Sequence, residues 1–133
     1  MDIILSMNNN ETVLVLPIPA LPKITISGSN QSFDTLNGEI NLIGKKSLKS
    51  IALSSFLPSR DYEFIRPGAS SNPQEYINFI EKALDDEIPI RFIWIDDNEA
   101  RLNIAATIEI FDYEPDNTGD LYYTLKLKEY RFV

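Results

Sequence analysis

Two long runs of alternating residues, joined by a short polar turn, restrict the fold of this chain more than anything else in it. "RLNIAATIEIFDYE" puts Leu102, Ile104, Ala106, Ile108 and Ile110 on one face and Asn103, Thr107 and Glu109 on the other. "LYYTLKLK" gives Leu121, Tyr123, Leu125 and Leu127 a face of their own. A period of two belongs to a strand with one side in a core and the other in solvent. The turn-forming "PDNTGD" between the runs is too short for a crossover, so the two strands are antiparallel neighbours. The phase then slips, because after Lys128 and Glu129 the apolar positions move to Tyr130 and Phe132. Either a bulge restores the inward face or the last residues turn to another surface.

Other elements follow the same logic. "PIRFIWID" is apolar on both faces apart from Arg91, the pattern of a strand covered on both sides, and "DDNEA" makes it a hairpin with a longer loop. Upstream, "KITISG" sets Ile24 and Ile26 against Lys23, Thr25 and Ser27, and "GEINLIG" repeats the device as a half-buried strand between Gly38 and Gly44. "SLKSIALSSFLPSRDYEF" offers Ile51 and Leu53 on one face and Ala52, Ser54 and Phe56 on the other, then breaks at Pro58. One helix is expected over residues 73–86. Asn72 is its N-cap, Pro73 fits the first helical position, and Glu75 sits where a capping box would reach back. Tyr76, Ile77, Ile80, Ala83 and Leu84 form its apolar stripe, and Pro89 stops it. Asp85, Asp86 and Glu87 crowd its C-terminal end, where the helix dipole opposes negative charge by ~0.3–1 kcal/mol each, which hints at a cation partner. These elements give an α+β fold: a mostly antiparallel curved sheet or partial barrel of about six to seven strands with one main helix. Residues 1–20, with Asn8–Asn10 and the proline-punctuated "VLPIPALP", read as an extended N-terminal lead-in, and residues 21–133 as a single α+β domain.

Composition narrows the chemistry. At 133 residues and 44% hydrophobic the chain is one domain, able to bury about two-thirds of its unfolded surface without a disulfide, metal or cofactor. It has no cysteine and no histidine, which removes thiol nucleophiles, Cys/His zinc sites and His-based proton shuttles. A net charge of −8 and a pI of about 4.4 make nucleic acid and anionic membrane surfaces poor partners. Ile3–Leu5 is a short apolar run preceded by Asp2, unlike a secretory signal, so the chain is expected to be made and kept in a cytoplasm unless carried out as part of something larger.

Acids gather in two turns, Asp96, Asp97 and Glu99, then Asp112, Glu114, Asp116 and Asp120. Pro115 interrupts the second group and no glutamate closes it as a calcium loop requires, so solvated turn acids are the plainer reading. No spacing selects a carboxylate pair for glycoside hydrolysis. Catalytic residues, metal ligands and cofactors are therefore expected to be none. Two stretches stand out as a candidate protein interface. One is the basic turn "GKKSLK", whose Lys45, Lys46 and Lys49 suit an acidic partner surface or a solvated turn. The other is the terminal Tyr130, Arg131 and Phe132.

Four segments together resemble a known family: "LPKITISGSNQ", "GEINLIGKKSLKSIALSSFLPSRDY", "NPQEYINFIEKALDDEIPIRFIWID" and "NIAATIEIFDYEPDNTGDLYYTLKLKEYR". They are similar to the N-terminal domain of LysM-containing tail proteins of contractile myophages, phage-like defective prophages and contractile bacteriocins. Gly119, Asp120, Tyr122, Tyr123, Thr124, Leu125, Leu127, Glu129, Tyr130 and Arg131 carry the most specific part. The resemblance implies a structural baseplate or tail-hub adaptor that links the central hub or tube to surrounding wedge proteins in on the order of six symmetric copies. It implies a life in the host cytoplasm during assembly and in the virion or tail-like particle afterwards. The LysM module itself is missing, and "EKALDDEIP" departs from the family's basic, tryptophan-bearing segment. The competing expectations are a cell-wall hydrolase accessory or carboxylate-based tail lysozyme, and a free-standing ligand-binding domain.

Overall fold

A computed structural model describes residues 1–132; Val133 lies outside the described residues. The paired runs are its centre: β8 (Glu99–Pro115) and β9 (Leu121–Glu129) lie side by side and antiparallel. Around them build β1 (Asp2–Met7), β2 (Thr12–Val15), β3 (Lys23–Thr25), β6 (Ser50–Leu57) and β7 (Ile90–Asp96), giving the order β2-β1-β7-β8-β9-β6-β3. Every pairing is antiparallel and the sheet does not close into a barrel, so the α+β architecture holds. A separate ribbon pairs β4 (Gln31–Thr35) with β5 (Gly38–Leu42).

The helix α1 (Pro73–Asp85) packs on one face of the sheet. Tyr76, Phe79, Ile80 and Ala83 meet Ile3, Leu5, Ile51, Leu53, Ile90, Phe92, Ala106, Leu125 and Leu127 in one buried cluster. Asn72 caps the helix, its side chain accepting from the Gln74 amide at 3.2 Å. Glu75 does not close a capping box, because the Asn72 amide already donates to Ser70 Oγ at 3.0 Å. Leu84, expected on the stripe, is half exposed, and Phe79 is buried in its place. The helix stops at Asp85, and Lys82 pairs with Asp86 at 3.1 Å, so the chain itself supplies a cation to its acidic end.

Within residues 1–20, Asp2–Met7 and Thr12–Val15 are strands of the sheet. Ile3, Leu5 and Met7 of β1 point into the core, and β1 hydrogen-bonds to both β2 and β7. Asn8, Asn9 and Asn10 make the β1–β2 turn, all with positive φ, a region asparagine tolerates better than most residues. The β7–β8 turn is tighter than expected. Asp97 and Asn98 both have positive φ and Asp96 pairs with Glu99, so two residues suffice and the strand twist is preserved.

Alternation in β8 also breaks where the sequence shows no slip. The register shifts between Ile108, opposite Leu127, and Ile110, opposite Lys126, leaving Glu109 as the extra residue of a bulge. Phe111 therefore faces the core opposite Leu125, while Ile110, expected inside, is exposed.

Candidate assembly surface

"GEINLIG" does not form a half-buried strand. It is one leg of an arm, residues 26–47, that leaves the sheet beyond β3 and returns to β6. Residues 25–46 are all exposed. Its hydrogen bonds are its own: Ser29 N–H donates to Lys45 O at 2.8 Å, Ser47 N–H to Ser27 O at 2.8 Å, and Gly44 N–H to Asn30 Oδ1 at 2.8 Å. A side chain at position 44 would collide with the Ser29 backbone, and Gly38 turns the tip with φ +116°. The two legs thus approach closely at the root and reverse tightly at the end.

The arm has two faces. Gln31–Leu42, Phe33–Ile40 and Thr35–Gly38 lie on one side, Ser32–Asn41 and Asp34–Glu39 on the other. Phe33, Ile40 and Leu42 are about half exposed, the tip Leu36 is fully exposed, and Ile43 is 91% exposed. A free two-stranded ribbon is marginal in water. Contiguous exposed apolar side chains on it are unusual for a soluble surface and make the arm a candidate interface.

The remaining expected interface residues fall into two places. Lys45 and Lys46 stand at the arm root, exposed. Lys49 lies where β6 begins, its amide donating to Glu129 Oε1 at 3.0 Å while its carbonyl accepts from the Glu129 amide at 2.8 Å. The end of β9 is thereby held beside the arm root. The phase slip resolves as a change of surface: β9 ends at Glu129, and the Tyr130 amide donates to Ala105 O at 2.8 Å. Tyr130 and Phe132 meet edge to face at 5.0 Å. Phe132 is 70% exposed and borders a groove with Asn8–Asn10, Pro89–Arg91 and Ala105. Arg131 is exposed.

The helix-free face of β6, β9 and β8 carries a charge gradient that sequence reasoning missed. Strand register sets its outward side chains in rows: Phe56–Tyr122–Glu114, then Ser54–Thr124–Asp112, then Ala52–Lys126–Ile110 with Lys23 beside Ala52, and Ser50–Lys128. The first two rows line an open groove of about 490 Å³. Its aromatic wall continues from Phe56 to Phe64, 6.4 Å apart, and from Phe64 to Tyr62, stacked at 4.9 Å. The lysine end of the face also carries the bulged Glu109, which accepts from Thr107 Oγ1.

Behind the groove, Asp120 fixes the loop after β6. Its carboxylate accepts from Ser59 N–H at 2.8 Å, Ser59 Oγ at 2.9 Å, the Tyr62 hydroxyl at 2.7 Å and Thr118 Oγ1 at 3.3 Å. Burial alone would raise its pKa, but these donors outweigh it and hold the carboxyl below its ordinary value. Asp116 is likewise occupied, accepting from the amides of Thr118 and Asp120. Both residues act as turn acids, and among the described residues no three Asp or Glu side chains gather as metal ligands would.

No family model matches the chain, and no curated protein matches it. Its fold is that of chains in two solved particles. One belongs to the virion of a native gene transfer agent, with a TM-score of 0.55 and 13% identity over 98% of this chain and 92% of that one. The other belongs to the tail of an empty gene transfer agent particle computed with helical refinement and C6 symmetry, with a TM-score of 0.55 and 14% identity over 98% and 91%.

Proposed function

We propose that the chain is a structural subunit of a phage-tail-like particle, acting by surface complementarity in a symmetric multi-copy assembly and without turnover. The observation that carries this reading is the arm: six large apolar side chains, Ile26, Phe33, Leu36, Ile40, Leu42 and Ile43, are left from about half to fully exposed by their own chain. The fold likeness to chains of gene transfer agent particles supports it, as does the sequence resemblance to tail proteins. Within such a particle the resemblance favours a baseplate or hub adaptor between the central hub or tube and the wedge proteins. A repeating tube subunit is the second reading, favoured by the similarity to a chain in a helically refined, C6-symmetric tail.

Quantitative mass spectrometry of purified particles tests both. A single ring's worth of copies per particle supports the adaptor, and a large multiple of it supports the repeating subunit. Absence of the chain from the particles overturns the structural reading altogether.

A further inference from the structure

From the groove's chemistry and the arm's position, we infer that the acidic, aromatic groove of Phe56, Tyr122, Asp112 and Glu114 receives the arm root of a second copy of this chain, through its Ile43, Lys45 and Lys46. The inference rests on the multi-copy reading above and names the contact that joins the copies.

The chemistry of the two surfaces matches. The groove presents two aromatic rings beside two exposed carboxylates, and the arm root presents one almost fully exposed isoleucine followed by two exposed ammonium groups. Among the described residues none of Asp112, Glu114, Lys45 and Lys46 is in an ion pair. Arg60, the cation nearest the aromatic wall, is already engaged, its Nε donating to the Tyr62 hydroxyl at 2.9 Å. Lysine between carboxylates and tyrosine rings gains both charge pairing and cation–π attraction.

Dimensions match as well. Phe56, Tyr122 and Glu114 stand on three adjacent strands, so the groove spans ~10 Å at ~4.8 Å per strand. Ile43 to Lys46 in extended chain also spans ~10 Å at ~3.3 Å per residue.

The same chain cannot make this contact. Thr25, where the arm departs, is opposite Ser50, whereas the groove lies at Phe56, six residues further along β6. That separation is ~20 Å, and β3, running from Lys23 opposite Ala52 to Thr25 opposite Ser50, heads away from the groove where the arm departs. One end of the molecule therefore offers the lysines and the other end receives them. Such a head-to-tail contact either closes as a ring or extends as a helical stack.

The absence of cysteine makes the test clean. Lys46→Cys and Glu114→Cys are made separately in the full chain, mixed in equal amounts and oxidised, and the products are mapped by mass spectrometry. The expected result is a 46–114 disulfide dimer at least ten-fold more abundant than 46–46 or 114–114 dimers, and its yield falls as salt is raised. The variant carrying both substitutions gives a ladder or a closed ring. Predominance of 46–46 or 114–114 dimers, or no disulfide at protein concentrations where the unmodified chain sediments as an oligomer, overturns the contact. A chain that stays monomeric at every concentration and yet is found in particles also overturns it, while leaving the structural function intact. Circular dichroism of each variant confirms that the fold is unchanged, as both positions are exposed.

Discussion

Replacing Phe33 by alanine separates what holds the domain together from what holds the assembly together. Phe33 sits at mid-arm opposite Ile40 with 49% of its surface exposed. A phenylalanine that becomes fully buried removes ~150–250 Å² from water, so a partner can still cover ~100 Å² of it. At ~25 cal/mol/Å² this is worth ~2.5 kcal/mol, of which truncation to alanine forfeits ~1.5–2.5 kcal/mol. Each 1.4 kcal/mol is about ten-fold, so the copy-to-neighbour contact weakens by ~10- to 60-fold. The folded domain has almost nothing to lose, since no residue of the arm belongs to the buried cluster. A surface change of ~0.5 kcal/mol or less moves the melting temperature of a chain this size by under ~2 °C. The assay co-expresses differently tagged wild-type and F33A chains and compares their ratio in the cell lysate with that in purified particles. Wild type is enriched at least ten-fold in the particles, and Ser32→Ala, on the arm's polar face, is not selected against. Equal incorporation of F33A refutes the docking of this face. A melting temperature lowered by more than ~4 °C refutes the premise that the arm is energetically separate.

Two further outcomes follow from the geometry. Asp120→Ala leaves Ser59 and Tyr62 without their acceptor and destabilises the domain by ~2–4 kcal/mol, read as a melting temperature ~7–14 °C lower at pH 7. Because the folded-state pKa of Asp120 is depressed, its contribution is complete above the unfolded value of ~3.9 and is lost as pH falls through the folded value. The gap between wild type and D120A therefore narrows in melts below pH ~3.9, and a gap independent of pH contradicts the assignment. Deleting residues 130–133 removes the hydrogen bond from the Tyr130 amide to Ala105 but keeps the Glu129–Lys49 pair, so the domain still folds with a loss of ~1 kcal/mol. Incorporation into particles drops, and normal incorporation of the truncated chain shows that this end is not an interface.

How much of this was legible depended on what each residue pattern encodes. The β8–β9 pairing, the inward Ile51 and Leu53 and the capped helix were readable because the period, caps and turn residues are local properties. Strand β1 carries the alternation of Ile3, Leu5 and Met7 with Asp2, Ile4 and Ser6, but the asparagines and prolines that follow are turn and extended-chain formers, which is why residues 1–20 read as a lead-in. The bulge at Glu109 left no trace, because Ile108 and Ile110 keep the alternation in sequence while the backbone breaks it in space. Strand β4 has a single large apolar residue, Phe33, and exists because β5 pairs with it. The charge gradient across β6, β9 and β8 depends on which residues stand opposite one another, as with Lys23, Ala52 and Lys126, and register across three strands is set by tertiary structure.

The arm shows the deeper reason. Ile40 and Leu42 alternate with Glu39 and Asn41 as in any half-buried strand, and that pattern says only that one face is suited to burial. It does not say by which chain. In β6 the same alternation points Ile51 and Leu53 at the domain's own helix; in β5 it points Ile40 and Leu42 at solvent within the monomer. Alternation records only which face is suited to burial, so a strand that reads as core and folds as surface is where the proposed docking is to be tested.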